Sequence, residues 1–380
     1  MNKYLVFKFL VLLSIINTQA QDTTRVSLLF GGDVMGHDSQ ISAAYDATKK
    51  AYDYDPCFQF VKELVSSPDL TIANLEVTLA GPPYKGYPQF SSPDALAVTL
   101  KNSGFDLLVT ANNHCVDRGK KGLDRTISRL DSLEIPHTGT FVDTISRVSL
   151  SPLMIRKNGF NLALLNYSYG TNGLPIPKLS IVNLIDTALI RKDVEYAKTL
   201  NPDAIIVFTH WGTEYESLPS AWQKRLTDFC FNLGVKLVIG SHPHVIQPME
   251  WRKETDQFVA YSLGNFVSGQ RKRYTDGGAM AYIELEKISY HPDSAVTTIV
   301  NAEYYLQYVY KASDASKDYY VIPVLPSATV ARAFVKDTVS VEAMRIFVED
   351  SRSLFSKHNK EVLERAYLPA KYEKVTLEVR

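Results

Sequence analysis

Cysteine is scarce. Cys57, Cys115 and Cys230 are the only three in 380 residues. They are odd in number and widely spaced, which excludes a disulfide framework and leaves at most one bridge open. An excess of charge of either sign is missing too, with 41 Lys and Arg against 41 Asp and Glu. Such a balance gives no general field for a polyanionic duplex, so nucleic acid is not an expected partner. Walker-type phosphate loops, Gly-x-Ser-x-Gly elbows and dinucleotide fingerprints are absent from the sequence, which removes nucleotide transfer and serine hydrolysis from consideration. Long apolar runs are lacking everywhere except at the start. There MNKYLVFKFLVLLSIINTQA carries Lys3, an apolar core at about residues 9–16, and small residues Thr18 and Ala20 at positions −3 and −1 of a cleavage site. This order reads as a secretory signal peptide over residues 1–20, too short and wrongly flanked for a membrane span. A retained amphipathic anchor is the other reading. No cysteine follows the cut, so a lipoprotein anchor is not expected. The expected location is periplasmic or extracellular, associated with the cell envelope. Removing residues 1–20 takes away Lys3 and Lys8 and no acid, leaving 39 basic against 41 acidic side chains, a net charge of −2.

What is present is a regular alternation of short apolar runs and helical stretches. Runs at 26–32, 69–74, 106–112, 162–168, 203–210, 236–241 and 258–263 read as buried strands. Helices are expected at 56–67, 92–104, 122–134, 186–200 and 220–234, with Ser92 and Ser220 as N-caps and Gly104 and Gly234 as stops. Alternation of this kind predicts an α/β fold. After about residue 286 the texture changes to tyrosine-rich strands at 297–311 and 318–326 and an amphipathic helix over 341–367, whole or broken near His358. The expected organisation is a main domain over 21–285 with a strand-plus-helix extension over 286–380, packed on or beside it. Tyrosines there suit stacking on sugar rings, but half-buried aromatics on a sheet are the commoner case.

Five of the apolar runs deliver a polar group at the carboxyl end. Asp33 follows the first; Glu76 follows the second, two residues after Asn74; Asn113 and His114 follow the third; His210 ends the fifth; His242 and His244 follow the sixth. Ligands of α/β sheets gather at that edge. Polar residues often follow strands, yet five suitable donors at five strand ends point to one site. His-Pro-His places its imidazoles at i and i+2, which face one way if the backbone is extended, as a proline favours. Carboxylate, amide oxygen and imidazole suit zinc, manganese or iron(II). A carboxylate can bridge two such ions, which clamp an oxyanion and lower the pKa of a water. A neighbouring histidine then serves as general acid.

The ordered segments GGDVMGH, ANLEVTLAG, LLVTANNHCVDRGKKGL, FTHWGTEY, GSHPHVIQPME and YSLGNF, spread over about residues 26–270, resemble the CapA family of capsule and poly-γ-glutamate synthesis proteins, within the calcineurin-like metallophosphoesterase superfamily. The resemblance implies a layered α/β/β/α sandwich. It implies Asp33 and His244 on a first divalent metal, His210, His242 and Asn113 on a second, Glu76 as the bridging carboxylate, and His114 as substrate-contacting acid. One or two ions are therefore expected. Met35 departs from the pattern, because the superfamily carries histidine there; His37 and Asp38 are the nearby substitutes. Glutamate in place of aspartate at position 76 is a second departure.

The polar stretch at 166–173 reads as a loop over the site, with Tyr167 as a substrate contact beside Asn74, Glu214 and Tyr215. Arg271, with Lys272 and Arg273, suits an anionic polymer or phosphate, although a solvated loop explains the triplet as well. Cys115 follows His114 directly, whereas Cys57 and Cys230 read as small buried hydrophobes. Two functions follow. One is an exported metal-dependent hydrolase of a phosphoester or an anionic envelope polymer. The other is a non-catalytic accessory that binds or helps export such a polymer. A membrane complex for capsule synthesis is the implied setting.

Overall fold

The computed structural model describes residues 22–291, 294–312, 318–324, 335 and 337–366; the expected signal peptide lies outside them. The principal strands in chain order are β1 (Asp22–Val34), β2 (Leu70–Leu75), β3 (Leu107–Val109), β4 (His137–Thr138), β5 (Leu153–Lys157), β6 (Phe160–Ser168) and β7 (Ala204–His210). They continue with β8 (Leu237–Ser241), β9 (Ile246–Arg252), β10 (Gln257–Leu263), β11 (Asn265–Val267), β12 (Gly277–His291), β13 (Ser294–Lys311) and β14 (Tyr319–Pro323). Five helices flank them: α1 (Ala95–Ser103), α2 (Gly119–Ser132), α3 (Thr187–Thr199), α4 (Ala221–Asn232) and α5 (Thr338–His358).

Two sheets result. The first runs β14-β13-β12-β1-β2-β3-β4, with β11 added beside β1, and the second runs β9-β10-β8-β7-β6-β5. In the first, β1 to β4 are parallel neighbours while β12 pairs with β1 antiparallel. In the second, β6, β7, β8 and β10 are parallel, and antiparallel β9 closes one edge.

Side-chain alternation decides the layering. Leu28, Phe30, Ile72 and Val109 meet Leu162, Leu164, Ile206, Phe208 and Ile239 in one core between the sheets. Leu29, Ala73 and Leu108 point the other way, against Leu96, Leu100 and Leu130 of α1 and α2. On the far side Ala163, Leu165, Val207 and Val238 pack on α3 and α4 through Ile190, Val194, Leu226 and Cys230. The outcome is the α/β/β/α sandwich that the resemblance implies.

Some local expectations change. The stretch 56–67 forms two short helices, Asp55–Phe58 and Lys62–Ser66. Helix α1 starts after Asp94 rather than Ser92, whose N–H is bonded to the Thr78 carbonyl and whose hydroxyl has no partner among the described residues. Ser220 does cap α4, accepting from the Gln223 N–H. The C-terminal helix stops at His358, and a short strand Leu363–Glu364 follows beside β13. Residues 285 and 286 both lie inside β12, so the sheet runs through that position without a break. All three cysteines are free and buried, and Cys115 has its thiol pushed up to about 12 by burial.

Candidate metal centre

Parallel strands buried on both faces end at a common edge, and there the polar groups converge. Asp33 is fully buried near the end of β1. Its Oδ1 accepts from the Asn74 amide at 2.8 Å and its Oδ2 from the His242 backbone N–H at 3.1 Å. Glu76, just past β2, is also fully buried, and neither carboxylate oxygen has a hydrogen-bond partner among the described residues. His210 ends β7. Its Nε2 lies 2.8 Å from Asn113 Oδ1 and 3.4 Å from Glu76 Oε1, and its Nδ1 lies 3.0 Å from Ser241 Oγ.

His242 and His244 do not sit in extended backbone. Their φ values are +99° and +58°, so the His-Pro-His segment is a strained turn. Both imidazoles nevertheless face the carboxylates, and they are divided between two groups. One ligand atom each from Glu76, His210 and His242 lies within 4.8 Å of the others, as does one each from Asp33, Glu76 and His244. Glu76 belongs to both. The His244 Nδ1 rests 3.1 Å from Asn265 Oδ1 and 3.5 Å from Asp33 Oδ2.

The electrostatics describe a constellation that wants positive charge. Burial first, then the Asp33 and Glu214 charges, hold the Glu76 carboxyl well above its usual range. Burial first, then neighbouring imidazoles, push His210 and His242 well below theirs, although Asp33 acts the other way on His242. Among the described residues, every cationic group within ion-pair distance of Asp33 and Glu76 is an imidazole. Burying two carboxylates without a compensating charge costs several kcal/mol. The orphaned Glu76 oxygens and the orphaned His242 Nδ1, in an all-O/N donor set, therefore fit one or two divalent cations of the zinc, manganese or iron(II) kind.

His114 stands beside this centre, close enough to depress His210. Its Nδ1 is 2.8 Å from Asp117 Oδ2, which also accepts from the Phe90 N–H at 2.7 Å. The Phe90 ring meets the imidazole edge-on, with centroids 4.7 Å apart.

Met35 is buried in the apolar layer outside the first sheet, its sulfur 3.8 Å from Ser268 Oγ. Neither nearby substitute joins a ligand group. His37 Nδ1 accepts from the Gly269 N–H, and Asp38 Oδ1 accepts from the Gly86 N–H.

Around the rim the expectations divide. Tyr167 is not at the site. It belongs to the layer under α3, where its hydroxyl donates to Asp193 at 2.8 Å. Tyr169 takes the place over the centre, its ring centroid 4.5 Å from that of His242, and its hydroxyl donates to Asn172 Oδ1. Asn172 Oδ1 also accepts from the Asn113 amide, so the 166–173 loop orients a candidate ligand. Tyr215 lies 6.3 Å, ring to ring, from His244, and the Lys272 ammonium sits 4.2 Å from the Tyr215 ring centroid. Exposed Glu214 sits beside it. The Arg271 guanidinium covers the Tyr319 ring, whereas Arg273 is tied to Asp350 by two 3.0 Å bonds.

Asp117, Asn265, Asn172 and Tyr169 were missed as site residues. The first two stand inside quoted motifs, three residues after His114 and just after Gly264, so their signal was present.

Residues 27–270 match the family model described as bacterial capsule synthesis protein PGA_cap. The chain belongs to this family. It is 28% identical over 248 residues to the capsule biosynthesis protein CapA of Bacillus anthracis, covering 62% of this chain and 59% of that protein. With the PGA biosynthesis protein CapA of Bacillus subtilis it shares 26% over 283 residues, covering 72% and 70%. The first of these relatives thus extends well beyond the matched part. Among solved structures, the NAD nucleotidase of Haemophilus influenzae is similar over 94% of this chain and 67% of that one, with a TM-score of 0.45 and 13% identity.

Proposed function

We propose that this family member is an exported, metal-dependent hydrolase acting on an anionic envelope polymer or phosphoester in capsule synthesis. The observation that carries the reading is the pair of ligand groups sharing buried, unpartnered Glu76. Asp33, Glu76 and His244 would hold one cation; Glu76, His210, His242 and Asn113 would hold the other. Bound there, such ions polarise an oxyanion and make water nucleophilic near neutral pH. The chain's own part is orientation and proton transfer. Asp117 can only accept, so it keeps a proton on His114 Nδ1 and leaves Nε2 to hand a proton to the leaving group. Tyr169, over His242 and His210, narrows the approach for water and substrate.

A second reading has its own support. Met35 is turned into the core, and among the described residues no further histidine, cysteine or carboxylate joins the ligand groups in its place, which favours a non-catalytic accessory that binds the polymer through the same centre. Poly-γ-glutamate is the polymer that this reading takes from the family.

Elemental analysis of protein purified without chelator or tag histidines tests both, with His242→Ala alongside. Close to two equivalents, lost in the variant, supports the hydrolase. About one equivalent supports a mononuclear enzyme. No metal after incubation with zinc or manganese leaves the binding reading. In the enzyme, His114→Ala lowers kcat by roughly 10²–10⁴-fold while polymer binding survives.

A further inference from the structure

The region beyond residue 270 lies outside the family match, yet it helps to build a recess whose wall includes Val245, one residue past His244. A cavity of about 250 Å³ opens between Val245 and Ile246, directly after His244, and helix α5. Phe347 and Leu354 give it an apolar floor, and Lys357 and His358 stand at its far end. A second cavity, of about 510 Å³, lies along the preceding turns of α5 and includes Arg271. The two share Tyr274, Phe347 and Asp350, so they adjoin as one trough along the helix.

The charges along this trough are not all alike. Asp350 is neutralised by Arg273, and Arg345 by Glu342 and Glu349. Arg271 and Lys357, which line the trough, and Lys272, next to Arg271 in the chain, form no ion pair among the described residues, although the half-buried Asp276 carboxyl lines the same wall within reach of the Arg271 charge. Arg271 and Lys272 are instead held over the Tyr319 and Tyr215 rings. Unpaired cations on either side of an apolar floor suit a chain in which anionic groups alternate with methylenes. A phosphate-only chain would leave the floor unused.

We propose that the trough is a subsite for the flanking units of a carboxylate-bearing polymer whose reacting unit sits at the Asp33–Glu76 centre. This rests on the polymer substrate of the proposed function. The trough would make recognition depend on chain length, and the determinant would be α5 rather than the family-matched sandwich.

The test is fluorescence anisotropy of the full chain with labelled poly-glutamate, comparing a long chain with a dimer at low salt. The long chain should bind at least tenfold more tightly, an advantage worth one or two exposed charge pairs. Lys357→Glu should remove most of that advantage, leaving dimer affinity and manganese-supported hydrolysis of p-nitrophenyl phosphate unchanged. Lys357 is exposed, so the variant should fold, as a thermal melt would confirm. Equal affinity for long and short chains overturns the subsite, and so does a length advantage that survives Lys357→Glu. Polyphosphate of the same charge binding as tightly overturns the carboxylate assignment. Length-dependent binding without any hydrolysis sustains the subsite while sinking the hydrolase reading.

Discussion

His114 is a buried imidazole and His37 a half-buried one near the same centre, and their partners give them different work. Asp117 fixes the His114 ring through Nδ1 at 2.8 Å. Asp117→Asn keeps the size and removes the charge. In the enzyme reading, kcat should fall by roughly 10- to 100-fold with KM little changed. A residue that merely packs would leave kcat in place. His37 is different, because burial holds it down to about 4 from the ordinary 6.5, against the opposing pull of the Gln40 side-chain oxygen, which accepts from the protonated ring. The unfolded imidazole takes a proton as pH falls through 6.5, whereas the folded one refuses it until about 4. Its contribution to stability is therefore present above that window and is lost across it as the medium turns acid. Thermal melts of the wild type should decline through the window more steeply than those of His37→Asn, and parallel curves would refute the assignment.

At the scale of elements, the site depends on how closely β1 meets the turn after β10. A Cβ on Gly32 would lie 2.0 Å from the Gly264 carbonyl oxygen, the same atom that accepts the Asp33 N–H at 3.0 Å. Gly32→Ala must push the backbone apart there, at a cost of roughly 3 kcal/mol. The melting temperature and metal affinity should fall together, because Asp33 moves with the strand. A variant that melts lower but titrates metal normally would separate the two. Gly32 shows how little of this contact the sequence carries, since its partner stands more than two hundred residues away. The strands themselves were legible, because parallel strands buried on both faces read as unbroken apolar runs. Their polar ends were legible for the same reason. Parity at a strand end was harder: Ala163, Leu165 and Tyr167 share the outer face, so Tyr167 follows them into the core and Tyr169, past the strand, reaches the centre. The His-Pro-His turn was hidden by its proline, which signals extended backbone, whereas tertiary packing holds both histidines at positive φ.

For the whole molecule, the question is whether the chain beyond residue 285 is an appendage or part of the same folding unit. Strand β13 pairs with β12 along nearly its full length. Tyr304, Leu306, Tyr308, Phe347 and Phe355 sit in the same core as Phe30, Ile206 and Phe208. A polar link runs from there to the centre. The buried Gln307 amide donates to the Asn265 carbonyl at 3.0 Å, and the Asn265 side chain holds His244 at 3.1 Å. A chain ending at residue 285 would cut β12 short, expose its edge and open the apolar space between the sheets, conditions that favour edge-to-edge association. Such a fragment should aggregate or lack a cooperative melt. The conservative companion, Gln307→Leu, keeps the strand and breaks only the link, so it should fold and bind metal more weakly through a less constrained His244. Circular dichroism melts and a zinc titration read both. A truncated chain that melts cooperatively and binds metal like the full one would make the C-terminal strands dispensable, and would move the origin of His244 geometry back into the sandwich itself.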